Sequence, residues 1–68
     1  MDETITVNGE EAGMPQPRTI AGLLAALNLD PDKVAVERNR KLVRGSTYDT
    51  VELQPGDDIE IVTFVGGG

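Results

Sequence analysis

Cysteine, histidine and tryptophan are all absent from this 68-residue chain, and each absence closes a class of chemistry. Without cysteine the chain forms no disulfide, offers no thiolate nucleophile and builds no Cys-type zinc site. Without histidine it lacks the usual general base and the commonest metal ligand, so no bound cofactor or metal is expected. A single Tyr and a single Phe provide no stacking platform for bases. Twelve carboxylates stand against six basic residues, a formal net charge of −6. That balance repels phosphate backbones, so nucleic acid is not an expected partner. No stretch approaches the roughly 20 apolar residues that cross a bilayer. The start Met1-Asp2-Glu3 has neither the basic nor the apolar region of a signal peptide. Together these predict a cytoplasmic protein with no membrane partner.

What remains is a chain with 38% apolar residues, enough for one thin aliphatic core. A chain of this size buries only about 60% of its unfolded surface, which leaves no room for a second core or an enclosed substrate cavity. Arg38, Arg40, Lys41 and Arg44 concentrate four of the six basic residues in one short window. We read that window as a solvated hairpin tip.

Residues 3–8 alternate and are rich in β-branched types, and Asn8-Gly9 is a strong two-residue hairpin signal. Residues 10–15 continue as a short edge strand ending at Pro15, with Pro17 preventing further pairing. Thr19 is placed as a helix N-cap, after which Ile20, Leu23, Leu24 and Leu27 recur on one helical face. The helix is expected to run about three turns and to stop at Asn28 and Asp30-Pro31. Val34, Ala35 and Val36 predict a strand, Arg38-Asn39-Arg40 a turn, and Leu42-Val43 a short outer strand. Residues 45–49 read as a loop or a single helical turn, and Gln54-Pro55-Gly56-Asp57 as a turn with Pro in its second position. A last strand follows from about Asp58 to Phe64. Hairpin, helix, hairpin and final strand imply an α+β β-grasp (ubiquitin-like) fold. In it a mixed sheet of four to five strands packs on one helix, with the last strand beside the first. The expected organisation is a domain over residues 1–65 and a glycine tail over 66–68.

Along the last strand Ile59 and Ile61 share one face, and Glu60, Val62 and Phe64 share the other. An unpaired carboxylate is costly to bury, so the Glu60 face is assigned to solvent. Val62 and Phe64 then stand exposed beside the tail, either as ordinary surface or as a docking patch for a partner. An enzymatic reading through the Asp57 and Asp58 carboxylates is disfavoured. Adjacent strand residues point to opposite faces, and both are taken as solvated turn charges. Taken alone, Gly66-Gly67-Gly68 reads equally as a frayed end or a linker remnant.

In its setting the tail carries more. The Asn8-Gly9 turn, the helix start from Thr19 to Leu24, the stretch Val34-Ala35-Val36-Glu37-Arg38-Asn39, Pro55-Gly56-Asp57 and the ending from Asp58 to Gly68 together resemble the ThiS family. These are the ubiquitin-like sulfur carriers of bacterial thiamin biosynthesis, and the resemblance spans essentially the whole chain. It implies that the protein is a cosubstrate and not an enzyme. An E1-like, ThiF-type enzyme would use ATP to adenylate the Gly68 carboxylate, and a persulfide donor would convert it to a thiocarboxylate. That sulfur would pass to a ThiG-type thiazole synthase. Gly66 and Gly67 would lead the reactive end into its channel, and Val62, Phe64 and Val65 would meet the partner. Glycine suits a narrow channel because it has no Cβ, and residues 65–68 extended reach about 13 Å. Two other readings stay open, a sulfur carrier of molybdopterin synthesis and a non-covalent ubiquitin-like binding module.

Overall fold

A computed structural model describes residues 3–64, so the expectations for Val65, Gly66, Gly67 and Gly68 lie outside the described residues. The described elements are β1 (Thr4–Val7), β2 (Glu10–Gly13), α1 (Ile20–Ala26), β3 (Val34–Arg38), β4 (Lys41–Val43) and β5 (Asp58–Thr63). Single 3-10 turns precede β3 and follow β4. The strands form one sheet in the order β2-β1-β5-β3-β4. β5 runs parallel to β1 and antiparallel to β3, and both hairpins are antiparallel, so the sheet is mixed. This is the β-grasp arrangement expected from the order of elements.

Both hairpins close on two residues at positive φ: Asn8 at 50° with Gly9 at 83°, and Asn39 at 53° with Arg40 at 72°. Paired positive values are those of the type I′ turn, whose twist matches that of the flanking strands. The final strand enters through Pro55 and Gly56, the latter at φ 86°, and the Asp57 N–H donates to the Gln54 carbonyl at 3.0 Å. Glycine accepts the positive φ that a type II turn needs at its third residue.

The helix begins as expected. Thr19 is extended, and its hydroxyl oxygen accepts from the Gly22 N–H at 3.0 Å. It is shorter than expected, however, at seven residues and about two turns. Asn28 turns left-handed at φ 59°, so the Leu29 N–H reaches the Leu24 carbonyl at 2.9 Å and the Asn28 N–H reaches Ala25 at 3.1 Å. That pair of bonds is a Schellman closure, which satisfies the last carbonyls and ends the helix one turn early. Leu27 therefore leaves the buried stripe and is 46% exposed, while Ile20, Leu23 and Leu24 stay buried.

The stripe packs on Ile5, Val34, Val36, Ile59 and Ile61 from the sheet. Tyr48 and Leu53, from the long connection into β5, complete the core. The connection is stitched to the helix start, with the Ala21 N–H donating to the Tyr48 carbonyl at 2.8 Å and the Leu53 N–H to the Arg18 carbonyl at 2.8 Å. A Cβ built on Gly22 would lie 2.0 Å from the Pro17 carbonyl oxygen, so the helix and the preceding loop touch through main chain.

Two expectations about charge are overturned. Asp57 is only 6% exposed and is not a solvated turn charge. Its carboxylate accepts from Arg38 Nε at 2.7 Å, from the Gln54 N–H at 2.8 Å and from Asn39 Nδ2 at 3.1 Å. Arg38 likewise belongs to this ion pair and not to a free basic tip. A buried carboxylate persists only when its acceptor sites are filled, and here they are. Burial by itself pushes the Asp57 pKa up. The Gln54 N–H, the Asn39 and Arg38 donors and the Arg38 charge outweigh it, so the carboxyl sits below its ordinary value.

Two outcomes are expected. Gly22→Ala should lower the thermal midpoint despite alanine's better helix propensity. Overpacking of this kind costs about 1–3 kcal/mol, against the roughly 1 kcal/mol gained over glycine in a helix. A midpoint equal to or above wild type would show that the loop yields freely. For Asp57 the folded pKa is depressed, so its stabilisation is complete above the unfolded value of about 3.9 and is lost as pH falls through the folded value. Urea denaturation should therefore show the gap between wild type and Asp57→Asn at its widest near neutral pH and closing below about pH 4.

Candidate functional site

β5 is the strand that precedes the glycine run in sequence, and its geometry is set by its two neighbours. β1 stops at Val7, opposite Ile59, while β5 continues to Thr63. The gap is bridged by a side chain. Asn8 donates its own N–H to the Ile59 carbonyl at 2.8 Å, and its carboxamide then imitates the next peptide of β1. Oδ1 accepts from the Ile61 N–H at 2.7 Å, and Nδ2 donates to the Ile61 carbonyl at 3.2 Å. Asn39 acts in the same way at the other end of β5. Its N–H donates to the Asp58 carbonyl at 2.7 Å, and its Oδ1 accepts from the Asp58 N–H at 2.9 Å. On the β3 side the ladder persists to the last described residue, where the Phe64 N–H donates to the Lys33 carbonyl at 2.8 Å.

The expected division of faces holds. Ile59 and Ile61 are buried on the helix side, and Glu60 is exposed on the other. Val62 is 59% and Phe64 56% exposed, on the same outward face as Glu60. Both residues are therefore solvent-exposed. Reading by sequence placed Asn8 and Asn39 only as turn residues and missed their bonds to β5. The available signal was that both turns open on asparagine, whose carboxamide carries donor and acceptor together.

An open groove lies between the β1-β2 hairpin and the helix, against Leu23 and Leu27, with Asn8, Glu10 and Glu11 as its polar lining. Among the described residues no group of three or more His, Cys, Asp or Glu side chains could hold a metal ion. No helix among them is long and apolar enough to cross a membrane.

The Asn8 bridge can be isolated by Asn8→Gly, which keeps the positive φ at no steric cost but removes the carboxamide. Loss of two hydrogen bonds should cost about 1–2 kcal/mol in chemical denaturation. It should also speed amide exchange at Ile61 relative to Val36. Unchanged exchange at Ile61 would mean that water replaces the side chain without loss.

Comparison with known proteins agrees with this architecture. The family model described as ThiS family matches residues 2–68. Thiazole synthase from Magnetococcus marinus is 48% identical over 64 residues, 94% of this chain but 20% of that protein. Thiazole synthase from Paramagnetospirillum magneticum is 45% identical over the same length and shares. The chain thus spans about a fifth of the length of these two relatives. The sulfur carrier protein ThiS of Bacillus subtilis is 50% identical over 50 residues, 74% of this chain and 76% of that one. Among solved structures, the thiamine biosynthesis protein ThiS from Geobacter metallireducens superposes with a TM-score of 0.77 at 29% identity, covering 96% of this chain and 99% of the other. A β-grasp sheet gripping one helix, a central strand that precedes the glycine run in sequence and this set of matches place the chain in the ThiS family.

Proposed function

We propose that this chain is a sulfur carrier that works through the Gly68 carboxylate. The observation that carries the acceptor is the match to a segment of two thiazole synthases, in which a stretch like this chain occupies the same polypeptide as the enzyme. The same match favours thiazole formation over the molybdopterin branch.

The chemistry follows from the carboxylate itself. With a reference pKa of about 3.3–3.7 it is ionised at neutral pH and is a poor electrophile, so it must be activated. An E1-like enzyme supplies ATP: a Gly68 oxygen attacks the α-phosphorus, pyrophosphate leaves and an acyl-adenylate forms. The terminal sulfur of a persulfide then attacks the acyl carbon and AMP leaves. The resulting acyl disulfide is cleaved by a thiol, which departs as a disulfide and leaves a thiocarboxylate on Gly68. Sulfide in place of the persulfide gives the same product directly. The thiocarboxylate is a soft nucleophile toward a carbonyl-derived intermediate held by thiazole synthase. The chain needs no cysteine because its sulfur is temporary and the catalytic groups belong to its partners.

The described surface fits this role. Phe64 is tied to Lys33 and the strand behind it is clamped by Asn8, so the path toward Gly66 and Gly67 starts from a fixed point. Val62 and Phe64 flank that point as contacts for the partner, with Val65 following them in the chain.

Intact mass spectrometry tests the reading. Incubation with ATP, a sulfur source and the activating enzyme from the same organism should convert the protein to a form heavier by one oxygen-to-sulfur exchange, sensitive to alkylation. Gly67→Ala and Gly68→Ala should block adenylation with the fold intact. Deletion of Gly68 leaves a Gly-Gly ending but shortens the reach by about 3.3 Å. Full activity of that deletion would show that the dipeptide is read and not the length. A wild-type mass that never shifts, with an enzyme proven active on its own carrier, would overturn the proposal.

A further inference from the structure

The helix-free face of the sheet carries an arrangement that the fold does not require. Glu37 of β3 and Glu60 of β5 are register partners, directly opposite one another, and both are exposed. Like charges in this position destabilise a sheet. Among the described residues the ion pairs are Arg18 with Glu3 and Arg38 with Asp57, so neither Glu37 nor Glu60 is held in one. Arg38, the basic residue adjacent in sequence to Glu37, is turned toward Asp57 on the other side of the sheet.

Apolar side chains frame this pair. Leu42 of β4 is the register partner of Glu37 on its other side and is 72% exposed. One pleat nearer the end of β5, Val62 lies opposite Ala35, and Phe64 follows. Leu42 and Val62 thus flank two adjacent carboxylates that form no ion pair, and Phe64 extends the apolar surface along β5. Apolar anchors around an uncompensated charge are complementary to a surface of the opposite design, with a cation set among apolar residues.

Building on the carrier function proposed above, we infer that this face is the docking surface for thiazole synthase and that Glu37 and Glu60 together receive one arginine or lysine of that enzyme. The choice of thiazole synthase rests on the two relatives in which a segment like this chain is part of that enzyme's own polypeptide. Arginine suits the geometry because its planar fork can donate to both carboxylates at once. The cation relieves the repulsion that the free protein tolerates. Leu42, Val62 and Phe64 exclude water around it and strengthen the attraction. Phe64 directly precedes residues 65–68 in sequence, so docking through Phe64 brings the glycine run to the same enzyme.

The test measures affinity of the full chain for thiazole synthase from the same organism by titration calorimetry at low and high salt. Glu37→Gln, Glu60→Gln and the double variant should each bind about tenfold more weakly or worse at low salt. Their salt dependence should be flatter than that of wild type. The same variants should melt at or above the wild-type temperature, because the opposed charges are gone. Weaker binding with equal or greater stability distinguishes recognition from a structural role. Leu42→Ala should weaken binding at both salt concentrations. Variants that bind as tightly as wild type would overturn this inference and leave the carrier function standing. A wild type that shows the sulfur mass shift but does not bind thiazole synthase would overturn the choice of partner and the inference with it. A wild type that neither shifts in mass nor binds would overturn both proposals.

Discussion

Each hairpin turns on an asparagine whose side chain is bonded to the central strand, and these contacts hold the sheet in register. Asn8 grips Ile61 on the β1 side, and Asn39 grips Asp58 on the β3 side. Both residues sit at positive φ in the first position of a type I′ turn. Asparagine tolerates that conformation better than most residues, and its carboxamide offers a donor and an acceptor in the spacing of a peptide. A glycine would satisfy the turn, and an aspartate would accept without donating. Asn8 therefore also continues the pairing of β5 past the point where β1 ends.

Much of this architecture is written in local patterns. Alternation in residues 3–8, the Asn8-Gly9 pair, the Thr19 cap and the Pro55-Gly56 turn depend on short-range sterics and side-chain type, and each forms where that chemistry places it. The faces of β5 were legible because one charged residue, Glu60, decides between two alternating sets. What could not be read depended on partners distant in sequence. The early end of the helix required Asn28 to be left-handed, which competes with continuation through Leu27. The burial of Asp57 required Arg38 and Asn39, nearly twenty residues away in the chain, to arrive at the same point. A carboxylate next to Pro-Gly looks like a solvated turn residue until those donors are in place. Of the proposed site, Val62 and Phe64 were legible from alternation, while the opposition of Glu37 and Glu60 became visible only with the register of β3 and β5.

Charge is handled in opposite ways at two places along β5, and the contrast separates folding from recognition. Where the strand begins, the Asp57 carboxylate is buried and filled by three donors, and Arg38 neutralises it. Such a network must be complete, since a half-satisfied buried charge would cost more than an apolar substitute. Two residues into the strand, Glu60 faces Glu37 across the sheet, neither of them in an ion pair among the described residues, on the surface shared with Leu42, Val62 and Phe64. Water screens that repulsion well enough for the fold to persist, so the cost is small while the face is free. Covering the same face with an apolar surface would remove the screening and raise the cost steeply, unless the incoming surface brings its own positive charge. A partner without that charge is therefore rejected by the desolvation of two carboxylates, and one that has it is admitted.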